Sequence, residues 1–149
     1  MSTSYNRKAE EICVKGNAPQ YLGEVTKLVQ AIIDDKCEIA CDYSSDRSRC
    51  QQSFDDETPS KIWISVRKVR AKPIHLVWDI MHEFGHHQSG KPERGEVEDP
   101  VRRLIREELA WDKAEALLQD YSTLKMELAD FLSYRDFCLI EYRESTSKS

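Results

Sequence analysis

His82-Glu83-Phe84-Gly85-His86 has the form H-E-x-x-H, and its surroundings read as helical. Residues four apart on an α-helix stand roughly 5–6 Å from each other on one face, so two imidazoles at that spacing can converge on one ion. The glutamate beside the first histidine can reach a water at such a site without itself being a ligand. Pro73 suits a first helical turn, and Gly90 with Pro92 makes a stop. Between them Ile74, Val77, Ile80, Met81 and Phe84 recur at helical spacing as a core stripe. His75, Asp79, His82 and His86 fall on the neighbouring stripe, at the edge of the core.

Two histidines leave a protein zinc site incomplete. A catalytic zinc takes three protein ligands and keeps one open position. Downstream, Asp99 as N-cap and Pro100 at the first turn open a second helix. Its core stripe runs through Arg103 or Leu104, Glu107, Ala110 and Trp111, Ala114, Leu117 or Leu118, and Tyr121. A carboxylate amid apolar residues is costly unless paired or bound to a metal. Glu107 is therefore the expected third ligand, with a salt bridge to Arg103 as the plainer account of its position. Glu108 is the alternative third ligand, since Glu108 and Asp112 have the E-x-x-x-D spacing of some zinc proteases. Asp79 and Asp112 are candidates for orienting a histidine through its second ring nitrogen. Tyr121, Tyr134, His75 and His87 are unranked candidates for stabilising an oxyanion.

The remaining pattern is α+β. A short helix over 4–14 precedes a strong one from Pro19, with Tyr21, Leu22, Val25, Leu28, Val29, Ile32 and Ile33 at helical spacing. Three short β-rich runs follow at 38–43, 49–54 and 61–67, separated by turn-forming segments. The order is thus N-terminal helices, a small three-stranded sheet, the H-E-x-x-H helix, the glutamate-bearing helix and a C-terminal helix over 124–141. Residues 1–144 read as one domain and 145–149 as a disordered polar tail.

With 40% apolar and 33% charged residues, the 149-residue chain has the composition of a globular protein. Its net charge of −5 gives no case for nucleic-acid or membrane binding. No apolar run is long enough for a membrane span or a signal segment, which leads to an expected cytoplasmic location. The five cysteines, an odd number, are expected as reduced thiols. Cys37, Cys41 and Cys50 lack a C-x-x-C knuckle and read better as small buried residues than as a second metal site. Lys61, Arg67, Lys68, Arg70 and Lys72 form a basic cluster, expected to be a solvated strand edge.

The H-E-x-x-H helix followed by a glutamate in an E-x-x-A pattern resembles the gluzincin metallopeptidases. More narrowly, His82-Glu83-Phe84-Gly85-His86 with Glu107-Glu108-Leu109-Ala110-Trp111-Asp112-Lys113-Ala114 is similar to the ImmA/IrrE family. That family pairs H-E-[LF]-G-H with E-x-x-A-[ND]-x-F-A, from which Trp111 and Lys113 depart. The resemblance, spanning roughly residues 37–121, implies a minimal zincin-like fold holding Zn²⁺ through His82, His86 and Glu107, with Glu83 as catalytic base. It implies a protein or peptide substrate, such as a regulatory protein of a phage or mobile element. The alternative it leaves open is a zinc-binding regulatory or interaction module with the same fold and no catalysis.

Overall fold

Ile62 and Ile64 alternate with Trp63 along the third strand, and the sheet is built around them. In the computed structural model, which describes residues 4–53, 55, 57–93, 95 and 98–147, the chain is α+β. Its strands are β1 (Glu38–Asp42), β2 (Arg49–Gln51) and β3 (Lys61–Ser65), in the order β1-β3-β2. β3 is central, parallel to β1 with Ile39 opposite Ile62 and Cys41 opposite Ile64, and antiparallel to β2. Those four side chains are buried or nearly so, giving the sheet one apolar face.

The helices cover that face. They are α1 (Ser4–Lys15), α2 (Leu22–Asp34), α3 (Ile74–Gln88), α4 (Pro100–Leu118) and α5 (Leu128–Ser147). A single 3-10 turn, Pro19–Tyr21, leads into α2, and a second, Lys125–Glu127, leads into α5. On α2 the buried residues are Val25, Leu28, Val29 and Ile32, the middle of the expected stripe, while Tyr21 and Ile33 are half-buried and Leu22 is exposed. α3 is the central helix: Leu76, Val77, Trp78, Ile80 and Met81 are fully buried, so its apolar surface wraps well beyond the expected stripe. Asp99 caps α4 by accepting from the Val101 and Arg102 amides, with Pro100 in the first turn as the sequence implies. One hydrophobic cluster draws on all five helices. Among the described residues, no helix is long and apolar enough to cross a membrane.

Several boundaries differ from expectation. β2 is three residues long, and Phe54, where the expected strand ended, lies outside the described residues. α5 starts later and continues through Ser147, so residues 145–147 are helical rather than a disordered tail; Lys148 and Ser149 lie outside the described residues. The basic cluster is a solvated edge only in part: Arg67 and Lys72 are exposed, but Lys68 and Arg70 turn inward. Arg70 has a side chain only 5% exposed and meets Asp79 at 2.8 Å. Lys68 reaches the same carboxylate, Lys72 pairs with Asp130, and Arg67 donates to the Ser44 carbonyl. These cations follow the end of β3, where the buried Asp79 on α3 and the half-buried Asp130 on α5 take partners.

Candidate metal centre

α3 and α4 cross so closely that one position admits only glycine. A Cβ on Gly85 would stand 2.1 Å from the Ala110 carbonyl oxygen, well inside contact distance. That approach sets Glu107, one turn before Ala110, against the histidine face of α3. The His82 Nε2 lies 3.1 Å from Glu107 Oε1, and the His86 Nε2 lies 2.6 Å from Glu107 Oε2. The three side chains are each only 12–13% exposed. One ligand atom from each lies within 4.8 Å of the others, and this is the single such group found among the described residues. Two imidazole nitrogens and a carboxylate oxygen converging in a protected site fit a metal ion.

The residues around this trio hold it in place. Trp111, fully buried one turn after Glu107, stacks on the His82 ring at 4.2 Å with an interplanar angle of 7°. Trp111 thus has a packing role against the His82 ring. Glu83, 5% exposed, places Oε2 3.2 Å from His82 Nδ1. Burial by itself disfavours a charged His82, but Glu83 and Glu107 on its two sides outweigh it and push its pKa up to about 10. Burial likewise opposes ionisation of Glu107, yet its bonds to His82 and His86 hold it well below the usual carboxylate range.

Glu107, rather than Glu108, reaches the histidines. Glu108 is half-exposed, with Arg143 as its partner at 3.8 Å. The expected roles of the two aspartates need correction. Asp79 is buried, but its carboxylate is occupied by Lys68, Arg70 and the Tyr134 hydroxyl at 2.6 Å. Asp112 lies on the exposed side of α4, where its helical phase turns it toward solvent. The side chain at His82 Nδ1 is instead Glu83.

Two adjoining cavities of about 460 and 500 Å³ open onto His82, Glu83 and Glu107, which lie at their shared base. None of the four expected oxyanion candidates lines either one. His75 stacks on Tyr134, the Tyr134 hydroxyl is bound to Asp79, His87 contacts Asp35, and Tyr121 lies beneath the Lys27 ammonium. Tyr142 lines both cavities instead. Its pKa is pushed up to about 12 by burial and by the nearby Glu107 and Glu83 charges, so the phenol keeps its proton as a donor at neutral pH. The sequence reading missed Tyr142 because it ended the last helix one residue before it. Arg106, also missed, lines the larger cavity with Arg103, and the salt bridge offered between Arg103 and Glu107 does not form, since the Glu107 oxygens face His82 and His86.

Compared with protein-family models, with curated proteins and with solved structures, the chain gives no match. The cysteines form no second cluster among the described residues: Cys13, Cys37 and Cys41 are buried, Cys50 and Cys138 half-buried, and all are free thiols.

Proposed function

We propose that this chain is a zinc-dependent metallopeptidase of minimal gluzincin type that hydrolyses a peptide bond of a cytoplasmic protein, such as a regulatory protein of a phage or mobile element. The observation that carries the reading is the placement of Glu83 beside a His82–His86–Glu107 donor set at the base of an open cleft. The sequence resemblance to ImmA/IrrE proteins supports the same reading. A structural zinc site is normally closed by four protein ligands, whereas three ligands and a cleft leave room for substrate.

His82, His86 and Glu107 would hold the ion. Zinc bound there supplies Lewis acidity, making water a stronger acid and polarising a carbonyl oxygen. Glu83, as general base, accepts a proton from the water that attacks the peptide carbon. A C–O bond forms, the C–N bond breaks, and Glu83 returns the proton to the departing amine. Trp111 stacking and the Glu83 contact fix the His82 ring, so its Nε2 keeps its direction. Tyr142, which lines the cleft, would donate a hydrogen bond to the substrate carbonyl oxygen as negative charge develops there.

The test is Glu83→Gln, which retains the side chain's size but cannot take the proton. Wild-type and variant proteins, both loaded with zinc, are incubated with cytoplasmic regulatory proteins and with a peptide library, and fragments are read by mass spectrometry. General-base catalysis contributes about 10²–10⁴-fold in rate, so cleavage should fall by that factor while zinc content stays at one ion per chain. Equal cleavage by both forms would remove Glu83 from the mechanism. Partner binding without cleavage by either form would favour the non-catalytic zinc-binding module.

A further inference from the structure

The larger cavity carries positive charge that no carboxylate balances among the described residues. Of the arginines lining it, Arg47 is paired with Glu141 and Arg49 with Asp42. Arg103 and Arg106 have no carboxylate partner among the described residues. Arg106 donates to two neutral acceptors, Gln52 Oε1 at 2.6 Å and the Gly90 carbonyl at 2.7 Å, which fix its guanidinium without neutralising it. The Arg103 guanidinium lies over the Tyr142 ring, 6.0 Å from its centroid, and its Nε is buried with no hydrogen-bond partner. A buried guanidinium donor left unmade is costly, and an arginine fork is matched by a carboxylate. Glu107, four residues from Arg103 on the same helix, cannot fill this need because both of its oxygens face imidazoles.

We propose that Arg103 and Arg106 form an anion-recognition subsite that takes a carboxylate of the bound peptide, so that the cleft selects acidic substrates. The inference rests on the reading of this cleft as a peptide site. Its charge balance is simple: a divalent cation offsets Glu83 and Glu107, Arg47 offsets Glu141, and the two guanidiniums remain. The smaller cavity is different in kind, lined by Phe137 and Ile140 together with the acids Asp46 and Glu144. An acidic group is thus directed to the Arg103 side and away from the other. The chain's overall charge of −5 repels an acidic peptide at long range, so the selectivity is local, set by desolvated contact at the two arginines.

The carboxylate has two sources, an Asp or Glu side chain or a peptide C-terminus, and the experiment separates them. Zinc-loaded Glu83→Gln protein is titrated, by fluorescence anisotropy, with short rhodamine-labelled peptides. The sets differ only in Glu or Gln at successive positions, and in a free or amidated C-terminus. At least one acidic form should bind about tenfold more tightly than its neutral counterpart, the size expected for a charge-assisted hydrogen bond. Adding Arg103→Gln should reduce that ratio below about twofold, and Arg103→Glu should shift the preference toward Lys-containing peptides. Circular dichroism and zinc content verify that both variants remain folded. Equal binding of acidic and neutral forms throughout, no binding of any acidic peptide, or a preference that survives Arg103→Gln overturns the subsite. Hydrolysis by the wild type is read in parallel. Arg103-dependent binding without hydrolysis retains the subsite and removes the peptidase reading; hydrolysis indifferent to peptide charge does the reverse.

Discussion

At the scale of single residues, the centre is governed by what surrounds one imidazole. His82 is flanked by Glu107 at Nε2 and Glu83 at Nδ1, and in the metal-free protein these raise its pKa from 6.5 to about 10. The sign follows. A raised histidine pKa stabilises the metal-free fold fully below the unfolded value and loses that contribution as pH rises through about 10. A metal ion requires neutral His82, so binding must expel its proton across the neutral range. Zinc affinity should therefore increase by about tenfold per pH unit between about pH 7 and 9, with proton release in calorimetry run in buffers of different ionisation enthalpy. A pH-independent affinity over that window would mean His82 is already neutral. Helical phase alone was enough to choose Glu107 over Glu108, since a carboxylate within an apolar stripe needs a partner. The same reasoning could not assign Asp79, whose partners Lys68, Arg70 and Tyr134 come from distant positions in the chain.

At the scale of elements, the site exists because α3 and α4 are in near-backbone contact. Gly85 makes that possible, and the second variable position of H-E-x-x-H is thereby a packing constraint as well as a spacer. Gly85→Ala sets a methyl group against the Ala110 carbonyl, a clash with rigid main chain that no rotamer relieves. The expected cost is at the upper end of overpacking, about 3 kcal/mol, visible as a lowered urea midpoint. Because relief requires α4 to withdraw from α3, zinc affinity should fall as well. Unchanged stability and affinity would mean the helices are not held at this distance in solution. α2, α3 and α4 were legible because each buries a periodic stripe and two of them carry clear stop or cap residues. α5 was legible only in part. Its exposed Phe137 and Ile140 interrupt any simple division into buried and solvent faces, so neither its true end nor Tyr142 could be read from spacing.

At the scale of the whole molecule, one buried carboxylate ties together parts of the chain that no local pattern connects. Asp79 on α3 binds Lys68 and Arg70 from the segment after β3 and accepts the Tyr134 hydroxyl from α5. α5 supplies Tyr142 to the cleft, so this hub links the sheet, the histidine helix and one wall of the site. The basic cluster was expected at the surface because a sequence shows the cations that follow β3 but not the acid that folds over them. Asp79→Asn retains the shape of the side chain but leaves two cations, one of them almost fully buried, without an anion. Removing one partner of a buried ion pair costs about 3–5 kcal/mol, more than the loss of a single neutral hydrogen bond. The expected outcome is a large drop in the urea midpoint with zinc stoichiometry unchanged, since none of the three metal-facing side chains is altered. Arg70→Met, which removes a buried cation together with its need for a partner, should restore part of the stability when combined with Asp79→Asn. A double variant no more stable than Asp79→Asn alone would show that the hub acts by shape and hydrogen bonding, with charge compensation contributing nothing.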